Sequence, residues 1–446
     1  MADPAPAEDA PNAPPGAPRG IGPATLVAIL VSNMVGTGVF TSLGFQARDL
    51  HTTPALLLLW LVGGAAALCG ALAYAELGAA LPRSGGEYVY LGRAYHPLVG
   101  FLGGWVSMTA GFAAPIALAG IAFGRYLAAV VPVRPLPASL ALVAAAALLH
   151  ASALTLGRRV QVALVATNVL LIVGFVAAGL ARGAQPVPVV PDAAAWREVA
   201  SPAFAVSLIF VSYAYTGWNA AGYVAGEVRD PQRTVPRAAL VGVGLVTVLY
   251  TLLNYTFLRL VPVPDLAGVV EIGALAAARA FGRAGGVLVA ATIALLLVAT
   301  VSGMVLAGSR VTEAVAAGMA RSGALSSRTA AGVPRNAVLA QAALVAALLL
   351  TNSFERVIAY TGFTLTLMSL LTVVGLLVLR RREPALPRPY RTWGYPAAPL
   401  FYIALSFLTL AFVLAERPRE SLLGLATVLA GIPVWLALRD RPARLA

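Results

Sequence analysis

Residues 33–40 read NMVGTGVF, inside an apolar run from Ala24 to Phe45. A run of that length predicts a membrane-crossing helix. Gly-Thr-Gly at 36–38 should weaken it, because glycine in a helix interior costs about 1 kcal/mol relative to alanine. A second interruption lies in SYAYTGWNAAGYVAGE, Ser212–Glu227, where Thr216-Gly217 falls midway through another apolar stretch and Asn219 follows. What these two interruptions are for determines the architecture.

The chain around them is apolar throughout. Of 446 residues 59% are hydrophobic and 11% charged, with a mean hydropathy of +0.84; soluble domains are roughly 45–50% apolar. Twelve stretches can be marked as membrane spans, the first at 22–47, the sixth at 203–226 and the eighth at 285–318. Lipid cannot satisfy open backbone groups, and no short alternating segments of the barrel type occur, so the spans are helices and the protein is all-α and polytopic. Breaks at corresponding positions in two halves of such a chain point to inverted repeats. The expected arrangement is leucine-transporter-like, with a 5+5 inverted repeat, discontinuous helices 1 and 6, and two further C-terminal helices. Residues 1–20 are then a disordered cytoplasmic tail, 21–182 the first repeat, 203–382 the second, and 383–446 helices 11 and 12 with a short tail.

The formal net charge is +13, and all 31 basic residues are arginines. They do not form one patch, which argues against a nucleic-acid partner. Most fall in loops of one side, including Arg229, Arg233, Arg310 and Arg380 to Arg382, and the positive-inside rule places both termini in the cytoplasm of a multi-pass cell-membrane protein. The first twenty residues lack the basic start of a signal peptide. One cysteine, Cys69, and three scattered histidines, His51, His96 and His150, provide no disulfide framework and no metal cluster, so no metal or cofactor is expected. Cys69 sits mid-span and suits no covalent link to an ancillary subunit, and no obligate protein partner is expected. The chain has no HExxH, Walker loop or GxSxG elbow, so it is not read as an enzyme.

A helix broken at mid-membrane exposes N–H groups at the start of one half and C=O groups at the end of the other. Each costs several kcal/mol in lipid without a partner. An amino acid zwitterion supplies both partners. Its carboxylate suits the N-terminal end of the helix resuming near Val39, and its ammonium suits the carbonyls at both breaks. A lone pair of small residues also serves close helix packing; two pairs at equivalent positions favour binding.

The stretches VGTGVF (35–40), YAELGAALPRSGGEYVYLGRAYHPLVGFLGGW (74–105), AYTGWNAAGYVAGEVRDPQRTVPRA (214–238), GSRVTEAVAAGMARSG (308–323) and RPYRTWGYPAAPL (388–400) resemble the amino acid-polyamine-organocation superfamily, nearest to its L-type and cationic amino acid branches. The resemblance implies that the Thr37 and Gly38 amides face the substrate carboxylate, that Gly36 gives clearance, and that the Met34 carbonyl faces the amine. It implies the carbonyls of Tyr213, Ala214 and Thr216 for the rest of the ammonium, with Tyr213 as an aromatic gate and Asn219 as a polar lining residue. Many members carry a fifth-helix lysine tied to proton coupling. RVQVALVATNVLL (159–171) offers Asn168 there, which has no titratable charge, so exchange or facilitated uptake is expected instead. Thr300 and Ser302 are candidate sodium ligands, or bond within the helix bundle. Glu76 and Glu227 are either helix-end charges or an inner gate.

Phe363–Thr372 and Met108, Thr109 and Phe112 are candidates for the side-chain pocket. Those stretches hold no acidic residue, which favours neutral amino acids as substrates. The function expected is amino acid transport across the bilayer by alternating access. A polyamine or organic amine transporter and a transporter-like amino acid sensor are the alternatives.

Overall fold

The computed structural model describes residues 20–36, 38–82, 85–152, 158–183, 185–225, 228–317, 323–329, 332–351 and 353–438. Thr37 and Glu227 lie outside the described residues. The principal helices are α1 (Pro23–Met34), α2 (Thr53–Ala80), α3 (Glu87–Ala94), α4 (Pro97–Ala128), α5 (Pro135–Ala151), α6 (Arg158–Arg182), α7 (Pro202–Ala214), α8 (Ala220–Val224), α9 (Pro231–Leu260), α10 (Ile272–Ala317), α11 (Arg335–Leu350), α12 (Phe354–Arg382), α13 (Ala397–Glu416) and α14 (Pro418–Leu438). Among the described residues the sole β-type pairing is an isolated bridge between Ile21 and Val228.

Helix starts follow a simple rule. Pro23, Pro97, Pro135, Pro202, Pro231 and Pro418 each open a helix, at the position where a missing N–H costs nothing and a fixed φ is already helical. Seven helices (α2, α4, α9, α10, α12, α13 and α14) are long and apolar enough to cross a membrane. Ala193–Val199 and α7 form a further candidate span bent by 68°, while α1, α5, Thr167–Arg182 and α11 are shorter apolar helices. Large apolar residues on α9 at Val241, Leu245, Val248 and Leu252 stay exposed. Their spacing puts them on one helix face, as expected of a surface meeting lipid rather than protein.

Helix α10 departs from the expected eighth span. The chain is already helical from Ile272, with one non-helical residue, Gly282 (φ 73°), before the long apolar run. Arg279, Arg283, Gly273 and Gly282 dilute the hydropathy of those first turns, so a hydropathy window starts the span late. Within α4, Ser107–Ala113 winds as a π-helix, a local widening that often marks functional positions.

Both interruptions are present. Helix α1 stops at Met34, where Val35 turns to an extended conformation (ψ 96°), and the chain resumes as a 3-10 turn at Gly38–Phe40 followed by Leu43–Gln46. Helix α7 stops at Ala214, passes through turns containing Gly217 (φ 110°), and resumes as α8.

Candidate functional site

The two breaks lie against one another through glycine. A β-carbon added to Gly38 would stand 2.6 Å from the Ala214 Cα, and one added to Gly217 would stand 2.3 Å from the Asn33 carbonyl oxygen. Each break therefore supplies the glycine that lets the other's backbone approach, and Gly217 also occupies a φ that side-chain-bearing residues avoid. Of the site residues expected from sequence, the structure brings Met34, Gly36, Gly38, Ala214 and Thr216 into this one region.

The first break is capped by other helices. The Tyr250 hydroxyl on α9 donates to the Met34 carbonyl at 2.6 Å and lies beside the Gly36 amide. Asn168 on α6 donates its side-chain N–H to the Val35 carbonyl at 3.4 Å. Asn168 thus meets the first break, and one hydrogen bond to Met34 leaves that carbonyl a second lone pair. Tyr250 is fully buried, edge-on to Trp60 and tilted on Tyr215. Sequence reasoning missed it. It stands 216 residues from Met34, and nothing local marks it.

The second break caps itself. The Thr216 amide and hydroxyl both donate to the Tyr213 carbonyl, at 3.0 and 2.7 Å. The carbonyls of Ala214, Tyr215 and Thr216 receive no backbone hydrogen bond among the described residues, and the Gly217 and Trp218 amides donate none. The break thus presents acceptors and donors side by side.

A cavity of about 50 Å³ adjoins this break. Ser212, Tyr213 and Thr216 line it together with Leu365, Thr366 and Ser369 of α12, and residues of α2 and α13 complete it. The expected lining from Phe363–Thr372 is there; Met108, Thr109 and Phe112 of α4 are not part of it. The Tyr213 ring is buried against this cavity.

Asn219 sits elsewhere than expected. Its amide donates to the Tyr223 hydroxyl at 2.8 Å and to Glu87 Oε1 at 3.4 Å, while Tyr223 donates to Glu87 Oε2 at 2.7 Å. It therefore joins the break to α3. Thr300 bonds back to the Leu296 carbonyl, and Ser302 is paired with His150 Nε2 at 2.9 Å. Both hydroxyls are thus engaged within the helix bundle.

Glu76 is fully buried at the arginine-rich end of the bundle and meets more than a helix-end charge needs. It accepts from Arg380 Nε at 2.8 Å and from the Thr392 amide at 2.7 Å, with Arg388 Nε at 3.3 Å. Tyr395 stacks under the Arg380 guanidinium, 3.7 Å from the ring centre. The segment 383–396 is thereby strapped across the ends of α2 and α12, and burial pushes the Tyr390 hydroxyl within it above its usual range. At the opposite end Glu355 pairs with Arg48 and, at 2.6 Å, with Arg417, over a stacked Phe45–Phe354 pair.

Non-helical backbone in the middle of an apolar bundle is tolerated where it is buried in protein or lines a cavity, and here it does both. The molecule is accordingly of the permease class, integral membrane proteins that move solutes and are not enzymes. Within that class the chain matches the amino acid permease family over residues 21–431 and belongs to it. It is 28% identical to the Asc-type amino acid transporter 1 of Mus musculus, covering 93% of this chain and 80% of the relative. It is 28% identical to the large neutral amino acids transporter small subunit 2 of Homo sapiens, over 93% and 79%. It is 26% identical to the serine/threonine exchanger SteT of Bacillus subtilis (strain 168), over 96% and 98%.

Proposed function

We propose that this protein exchanges neutral amino acids across the cell membrane by alternating access, with the substrate zwitterion held between the two breaks. The contact of Gly38 with Ala214 and of Gly217 with Asn33 carries this reading, because it sets the open groups of both interruptions within reach of one small solute. The ammonium goes to the Ala214 and Thr216 carbonyls and the free side of Met34, and the carboxylate goes to the Thr37 and Gly38 amides. Asn168 stands in for a titratable lysine, which favours exchange over proton-driven uptake; a relative that is an exchanger agrees. No carboxylate lines the cavity beside the break, which favours a neutral side chain over a polyamine.

The seven long helices, the bent sixth span and the four shorter apolar helices then make twelve spans. Spans one to five and six to ten are the inverted repeats, and the arginine-rich end carrying Arg380 to Arg382 faces the cytoplasm with both termini.

Purified protein in liposomes preloaded with one amino acid should take up a labelled amino acid from outside only while the internal pool lasts. Decarboxylated and N-acylated analogues should fail to compete, since each lacks one end of the zwitterion. Equal competition by the decarboxylated amine would remove the carboxylate from the site. Thr37→Pro removes an N–H assigned to the carboxylate and should abolish uptake while the protein still reaches the membrane.

A further inference from the structure

We infer that the cavity between the ends of α5 and α10 and the start of α11 is a site for a phosphate group, of the kind an acidic phospholipid headgroup carries. The inference stands apart from the exchange reading, and its failure would leave that reading untouched.

The cavity measures about 390 Å³, and its walls are polar: His150 of α5, Arg310 and Glu313 of α10, and Arg328 from the segment that follows. The first turn of α11, from Pro334 to Val338, completes it. Space of this size is in the range of ligand sites, whereas cavities that stay empty are apolar.

Charge sets the class of ligand. Glu313 is buried and already paired, with Arg328 Nη2 donating to its Oε2 at 3.1 Å. That pair is neutral, and Arg310 adds an exposed guanidinium beside it. The adjoining stretches outside the described residues, 153–157, 318–322 and 330–331, contain one arginine and no acid, so nothing in them reverses the sign. Helix α11, 16 residues long, turns its N-terminal end toward the same space, and that end of a helix dipole favours an anion.

His150 supplies an independent sign of a ligand. It is 3% exposed, its Nε2 is engaged with Ser302 at 2.9 Å, and its Nδ1 has no partner among the described residues. A buried ring nitrogen on a cavity wall is costly unless something in the cavity bonds to it. In the tautomer in which Ser302 donates to Nε2, Nδ1 carries the proton and donates to a phosphate oxygen. Two features favour a lipid over a free anion. Leu148 on α5 and Leu339 on α11 are exposed, so the helices that wall the polar cavity turn apolar surface outward beside it. Successive spans alternate in direction, which sets this end of α10 with Arg380 to Arg382, the end assigned to the cytoplasm, where acidic lipids concentrate.

Native mass spectrometry of the detergent-purified protein, titrated with phosphatidylglycerol or phosphatidylcholine, counts bound lipid directly. Phosphatidylglycerol should bind the more tightly. Arg310→Gln should weaken its binding about tenfold, the effect of losing a hydrogen bond to a charged group, and should elute as a monodisperse species because Arg310 is exposed. Glu313→Gln, which removes an acid from the wall, should tighten binding severalfold; an ion pair with only a structural role would leave lipid affinity alone. Arg197→Gln, at an exposed position outside the cavity, should change nothing. Inorganic phosphate separates the two sources of the group. If it raises the unfolding temperature in an Arg310-dependent way and the two lipids bind alike, the site is upheld and its ligand is free phosphate. Phosphatidylglycerol affinity that is the same in the unaltered protein, Arg310→Gln and Glu313→Gln, with no Arg310-dependent effect of phosphate, overturns the site.

Discussion

The first and second breaks solve one problem in opposite ways. At the first, carbonyls left open by α1 are met by Tyr250 and Asn168 from helices α9 and α6, so its geometry is imposed by surrounding helices. At the second, Thr216 folds back on Tyr213 and the following carbonyls stay open. One break is held from outside, and the other keeps its polar groups available. In the proposed exchange cycle the first would set distances and the second would bind the solute.

Four substitutions probe this contrast. Gly217→Val strikes the contact that both breaks share, since its first side-chain carbon would meet the Asn33 oxygen at 2.3 Å with φ at 110°. The variant should yield no monodisperse protein in gel filtration, and normal yield would mean the breaks do not touch. Tyr250→Phe deletes a single hydroxyl but leaves the Met34 carbonyl buried and unpaired, at a cost of about 1–3 kcal/mol. Its unfolding temperature in detergent should fall clearly, and transport should fall with it.

Thr216→Val keeps the shape and loses the 2.7 Å bond to Tyr213, a loss of about 1 kcal/mol. It should raise KM severalfold with little change in kcat, because a loosened self-capped turn positions the open carbonyls less well. Asn168→Leu gives up only a 3.4 Å contact, at the weak end of hydrogen bonding. Its unfolding temperature should stay near that of the unaltered protein. If Thr216→Val proved more damaging to stability than Tyr250→Phe, the assignment of outside support to the first break and self-support to the second would have to be exchanged.

Much of the frame was legible from residue type. Proline marks helix starts, hydropathy marks spans, and glycine inside an apolar run marks both interruptions, because each effect is local to the chain. The partners that complete the site were not legible, for the same reason. Tyr250 meets Met34 across 216 residues, and no pattern near either one announces it. Asn219 was expected beside the solute because its position in TGWN allowed it. The structure turns it toward Glu87, whose pull arises on a loop helix more than a hundred residues earlier.

Glu87 itself was visible as an acid between two spans, in GGEYVY. Glu76 was placed at a helix end correctly; its burial was hidden because the covering strap comes from 383–396, far along the chain.

That strap has a consequence for how the protein is made. Arg380 follows Glu76 by 304 residues, which at a synthesis rate of about 5–20 residues per second is a wait on the order of 15–60 s. For that interval the newly inserted α2 carries an acid whose counter-ions have not yet left the ribosome. The final closure of this end of the bundle is therefore one of the last events of biogenesis, and a chain ending before Arg380 would leave Glu76 without these partners.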